Sequence, residues 1–225
     1  MARAADPMSQ AAVIYHTYLL AIAGGALLSD AAALRDTADA LAIAERSGDE
    51  SALYLVRFVR GIALVHRVGR ERESGFSLLA EVREASVQER FSMTALPIID
   101  VEIAREKARS GDLNGAIELA RAVNDDLFDS GGATWSAPEA DVLVEALLHR
   151  GSDGDLAEAQ AAIDRLASVP TDPRFVLNEI WLLRLRALLA RARGDEAGYR
   201  EFRDRYRKLA TELGFEGHMA RWPRQ

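Results

Sequence analysis

Five glycines, Gly25, Gly69, Gly111, Gly154 and Gly194, recur at intervals of 44, 42, 43 and 40 residues, each between two stretches whose apolar residues follow a helical period. A period of 20 to 50 residues marks stacked units, each too small to bury its apolar face alone. At three of these points aspartate follows at once, giving Gly111-Asp112, Gly154-Asp155 and Gly194-Asp195. Glycine just past a helix takes the left-handed conformation that satisfies the last carbonyls, and aspartate accepts hydrogen bonds from the free amides that open the next helix. So short a connection forces the two helices antiparallel. Glu158 three residues after Asp155, and Glu139 three after Ser136, add the reciprocal capping spacing, with Pro138 acceptable in a first turn.

Small residues continue the pattern. Ala116 and Ala159 each follow their glycine by five residues, with Ala120 and Ala162 further along, so the paired helices can approach closely. Sets such as Ile98, Val101, Ala104 and Ala108, or Tyr199, Phe202, Tyr206, Leu209 and Leu213, lay an apolar stripe along their helices. The spacing predicts ten helices in five pairs: 8–23 with 29–47, 50–68 with 71–88, 94–110 with 112–130, 137–150 with 155–168, and 174–193 with 195–213. Strand signals are nearly absent. The expected fold is all-α, a tetratricopeptide-like α-solenoid forming one domain over 1–225, with 1–7 and 216–225 as irregular tails. The longest loops fall at 129–138 and 168–175. The period exceeds the 34 residues of a standard tetratricopeptide unit and the Trp, Leu-Gly and Tyr positions of that consensus are not met, so armadillo or HEAT stacks stay open as alternatives.

Composition narrows the function classes. The chain carries 28 Lys or Arg against 35 Asp or Glu, a net charge of −7, which opposes wholesale coating of nucleic acid or acidic membrane. Without cysteine there is no thiolate metal site or cysteine nucleophile, and a cytoplasmic setting is expected. MARAADPMSQ does not read as a secretory signal, and the apolar stretch AAVIYHTYLLAIA, at about thirteen residues, is too short to span a bilayer.

Residues with chemical potential are few. Asp125, Asp126 and Asp129 in NDDLFD resemble an aspartate-rich magnesium-diphosphate motif, but no second such motif occurs, so a solvated helix end is the preferred reading. His16, His66, His149 and His218 have no histidine three or four residues away. His66 and His149, followed by Arg67 and Arg150, sit where a cation opposes a helix C-terminal dipole. Arg193-Gly194-Asp195 is read as an interhelical turn, and no phosphate-binding glycine loop is present. No catalytic, cofactor-binding or metal-binding residue is assigned. From Arg174 onward, 12 basic residues stand against 7 acidic ones, while the preceding part is net −12. The pairs Glu196 with Arg200, Glu201 with Arg205 and Asp204 with Lys208 balance an exposed helix, which leaves Arg184, Arg186, Arg191 and Arg193 as the candidate partner-binding group.

The phrases ATELGFEGHMA, IAREKARSGDLNGAIELARAV, RLASVPTDPRFVLNEIWLLRLRALLARARGDEAGYREFRDRY and RFVRGIALVHR resemble the C-terminal helical region of actinobacterial proteins that join a class III adenylate or guanylate cyclase domain to a P-loop ATPase domain. The likeness extends over nearly the whole chain. It implies a tetratricopeptide-like sensor or interaction module, with the chemistry in domains N-terminal to it, and it transfers no catalytic residue. After Met219-Ala220 the chain departs from the family pattern with Arg221-Trp222-Pro223-Arg224-Gln225. The expected function is a noncatalytic protein-interaction or regulatory module whose partner is a protein or peptide, such as a cyclase or ATPase domain. A cyclase relative by descent, lacking the catalytic domains, and a nucleic-acid-binding helical repeat are the alternatives. No membrane partner is expected, and homo-oligomerisation is left open.

Overall fold

The computed structural model describes residues 6–132, 136–170 and 176–221, and every described element is helical. In chain order these are α1 (Pro7–Ile14), a π-helical turn (Tyr15–Leu19), α2 (Leu20–Ala23), α3 (Ala31–Ser47), α4 (Glu50–Val65), α5 (Arg70–Val87) and α6 (Ala95–Arg109). They are followed by α7 (Leu113–Asp129), α8 (Ala137–Arg150), α9 (Asp155–Ala167), α10 (Val176–Ala192), α11 (Glu196–Leu213) and α12 (Glu216–Arg221). Successive helices pack as neighbours, α3 on α4, α4 on α5, α7 on α8, α8 on α9 and α10 on α11. No helix among the described residues is long and apolar enough to cross a membrane.

The chain divides into two compact units, residues 1–99 with 215–225, and residues 100–214. In the first, small side chains set the packing distance. Ala11, Ala40, Ala44, Ala52 and Val56 form a buried cluster flanked by Ile14, Leu41, Leu53 and Leu55. The α4 and α5 helices come still closer because glycines face the contact: a Cβ on Gly75 would lie 2.7 Å from the Val65 amide nitrogen, and one on Gly61 would lie 2.6 Å from Leu79 Cδ2. The far end of α4 is closed by Tyr54, Phe58 and Phe91, with the Tyr54 hydroxyl accepting from Arg90 Nη1 at 2.7 Å.

Residues 216–221, expected within an irregular tail, form α12 and dock in this first unit. The Glu216 amide donates to Ala26 O at 3.0 Å, the His218 amide donates to Gly25 O at 2.9 Å, and the fully buried His218 ring stands 3.0 Å from Gly24 O through Nε2. Gly25 and Gly217 permit this approach, since a Cβ on Gly217 would lie 2.6 Å from Gly25 O.

In the second unit the glycine-aspartate elbows behave as their chemistry requires. Gly111 and Gly194 adopt φ of 93° and 74°, Asp112 accepts from the Gly115 amide at 3.0 Å, and Asp195 accepts from the Gly198 amide at 2.9 Å. The elbow between α8 and α9 is built differently. Gly151 ends α8 at φ 64° and Gly154 holds the cap position of α9. Asp155 turns back, accepting from the Ser152 amide at 2.8 Å and from Arg150 Nε and Nη2 at 3.0 and 2.6 Å. The expected capping spacing at Asp155 and Glu158 is therefore unused. Ser136 likewise makes no side-chain cap bond.

The α4–α5 contact supplies a test. Ala for Gly inside an exposed helix stabilises by about 1 kcal/mol through propensity alone. For Gly75→Ala the overpacked contact reverses that sign, and we expect a net loss of about 1 to 2 kcal/mol in urea unfolding. Ser77→Ala, on the exposed face of α5, should change stability by no more than about 0.5 kcal/mol.

Candidate functional site

The second unit buries charge at high density. Glu102 on α6, Glu139 and Asp141 on α8, and Arg184 on α10 are at most 5% exposed. Arg184 is held between two carboxylates of α8, Asp141 and Glu145, and its guanidinium stands 5.9 Å from the Trp181 ring centroid. Burial alone would lower its pKa, but the two carboxylates outweigh that and hold it above the ordinary arginine range. On α6, Arg105 pairs with Glu102, and the fields of Asp141 and Glu145 also reach it. Its Nη2 is buried with no hydrogen-bond partner among the described residues.

Glu139 is an acid of this layer whose surroundings favour the neutral form. It is 2% exposed, its Oε2 has no hydrogen-bond partner among the described residues, and burial pushes its pKa up to about 8. Its own backbone amide and Arg105 pull in the other direction and do not restore an ordinary value, while Glu102 adds repulsion. A buried carboxyl in such surroundings is stable as the protonated acid.

Above this layer the last turns of α6, α8 and α10 enclose a cleft of about 830 Å³. Its polar lining is Arg105, Arg109, Glu145, His149 and Arg191, and its apolar lining includes Leu188 and Ala192. Local sequence explains the convergence. Each of these helices ends at a left-handed glycine, Gly111, Gly151 or Gly194, and basic residues in a last turn oppose the helix dipole. Several such residues are already tied to local acceptors: Lys107 to Asp112 at 2.8 Å, Arg150 to Asp155, Arg193 to Gln160 at 2.9 Å. Arg109 pairs with Glu106. Arg191 and His149 make no hydrogen bond or ion pair with a described residue, and the Arg191 guanidinium stands 5.9 Å from the Tyr199 ring centroid.

The four arginines singled out in the sequence do not share a face. Arg184 is buried in the ion cluster, Arg191 lines the cleft, Arg193 bonds Gln160, and Arg186, two positions on from Arg184, is half-buried and outside the cleft lining. Sequence reasoning missed Arg105, Arg109 and His149 as a group with Arg191. The available signal was positional, since Arg109, His149 and Arg191 all fall within the final turns of helices that stop at a glycine. Asp125, Asp126 and Asp129 are exposed on the end of α7, where Asp125 pairs with Arg165. Among the described residues no group of three or more His, Cys, Asp or Glu is placed to hold a metal ion. A smaller cleft of about 330 Å³ in the first unit, bordered by Asp30, His66, Arg67 and Arg221, carries fewer uncommitted groups, because Arg67 already donates to Ser29 O at 2.9 Å and pairs with Glu71.

Comparison with protein-family models, with curated proteins and with solved structures returned no match in any of the three.

The neutral Glu139 makes stability depend on pH in a defined direction. Its pKa rises from an ordinary 4.5 to about 8 on folding, so the native state binds the extra proton and its stabilising effect is complete below about pH 4.5. The effect is lost as the pH climbs toward 8, at no more than about 1.4 kcal/mol per pH unit. Urea unfolding at intervals from pH 5 to 8 should show wild-type stability falling relative to Glu139→Gln, which carries no proton to lose. Parallel curves would show that Glu139 does not titrate in this window.

Proposed function

We propose that the chain is a noncatalytic protein-interaction or regulatory module, a tetratricopeptide-like helical repeat in which the cleft of the second unit is the binding surface. The observation that carries this reading is the cleft itself: three helices, α6, α8 and α10, bring their last turns to one concavity of about 830 Å³ with mixed basic and apolar walls. Concavities of a few hundred to about 1,000 Å³ suit ligands or peptide segments, and stacked helix pairs characteristically recognise partners through such a surface. The resemblance to the helical region of cyclase-ATPase proteins points the same way, toward a cytoplasmic sensor whose partner is a protein domain or peptide.

The acid groups support this reading over catalysis. A general acid or base must reach a reacting atom, whereas Glu139 and Asp141 lie in the interior, and Asp141 is paired with Arg184. The aspartates of α7 are dispersed on an exposed helix end with Arg165 as a counterion.

Two measurements decide between the classes. With Mg²⁺ and ATP, GTP or an allylic diphosphate, the purified chain should show no turnover, and robust turnover abolished by Asp125→Ala would replace the interaction reading with an enzymatic one. Affinity capture with the full chain should retain a protein partner that is lost when Ala192→Trp fills the cleft mouth, with helical circular dichroism unchanged.

A further inference from the structure

The cleft between α6, α8 and α10 has a charge pattern that selects its occupant. Arg105 and Arg109 enter it from α6 and Arg191 from α10, joined by His149 of α8. The acid in the lining, Glu145, is already matched by Arg184 from below. Glu102, the counterion of Arg105, is 3% exposed and faces it from the interior, which leaves Arg105 Nη2 buried and without a hydrogen-bond partner among the described residues. Opposition to the helix dipoles accounts for basic residues in last turns. Lys107, Arg150 and Arg193 occupy equivalent turns and are spent on local acceptors, and Arg109 pairs with Glu106 of its own helix, whereas Arg191 lines the cleft with no hydrogen bond or ion pair to a described residue.

We propose that this cleft takes an acidic peptide segment of a partner protein, whose carboxylates pair with Arg105, Arg109 and Arg191 and whose apolar side chains lie against Leu188 and Ala192. The inference rests on the reading of the chain as an interaction module and names its ligand class. Guanidinium groups make charge-assisted, often bidentate bonds to carboxylates, and the apolar wall gives the side chains between the carboxylates a place to be buried. A nucleic acid strand fits less well. Among the described residues no Phe, Tyr or Trp lines the cleft to stack a base, and the chain's net charge of −7 repels a polyanion at long range. A short segment feels mainly the local field, because screening at physiological salt limits the reach of surface charge to about 8 Å.

The test uses the full chain and a blocked, fluorescein-labelled ten-residue peptide alternating Glu with Leu or Ala, followed by anisotropy at low salt. Saturable binding is expected. It should weaken about tenfold or more when Gln replaces every Glu in the peptide, and by a similar factor in Arg191→Glu, a loss expected when one charged partner at a contact is reversed. Arg191 is exposed, so the urea midpoint of this variant should match wild type. If it does not, Arg191→Gln serves in its place, with an expected loss of several-fold. Equal binding of the Glu and Gln peptides, no binding to wild type, or tighter binding of a labelled single-stranded DNA 20-mer lost in the same variant would each overturn the proposal. The broader reading fails separately. A captured partner that is lost in Ala192→Trp but kept in Arg191→Glu leaves the interaction module standing and removes the acidic ligand.

Discussion

A single buried cation ties α10 to α8. Arg184 sits between Asp141 and Glu145 and so joins the two helices that form two walls of the cleft. Desolvating such a group is costly, and the carboxylates must return that cost through close geometry. The consequence is intolerance of slippage: a displacement of one helical residue would separate Arg184 from Asp141, which is itself completely buried. The ion cluster thus lies directly beneath the cleft, with Glu145 shared between the Arg184 pair and the cleft lining.

Local features of this fold were legible in the sequence because they are decided within a few residues. The sign of φ at Gly111 and Gly194, and the caps at Asp112 and Asp195, follow from side-chain chemistry over one turn. Apart from the expected helix 8–23, which is divided into α1, a π-helical turn and α2, and from the unexpected α12, the observed helix limits stay within about three residues of the expected ones for that reason. Ala116, Ala120 and Ala159 are fully buried, as small residues facing a close helix contact must be. The pairs Glu196–Arg200 and Glu201–Arg205 form at 3.4 and 3.6 Å, whereas Asp204 turns to Arg203 and Lys208 to Glu212, since an exposed side chain chooses among neighbours of similar energy.

What escaped the sequence was decided at long range. A Glu, an Asp and an Arg in helical periods read as a solvated face, and only the packing of α6, α8 and α10 turns Glu102, Glu139, Asp141 and Arg184 into an interior layer. Burial of Arg184 also removed it from the arginine group that the sequence offered as a contact surface. Docking of α12 is another case, since the His218 ring meets Gly24 across 194 positions of sequence. Its faint signal was the Gly24-Gly25 pair, which supplies a bare backbone surface, together with Gly217 beside the histidine.

The neutral carboxyl of Glu139 and the cationic cleft above it are linked through Arg105. When Glu139 is protonated, the field on Arg105 comes chiefly from Glu102, Asp141 and Glu145. Ionising Glu139 adds a negative charge to that interior set. A negative charge there would lower the positive potential around the Arg105 guanidinium. Burial that favours the neutral form of Glu139 therefore keeps one negative charge away from Arg105, a residue shared by the interior layer and the cleft lining.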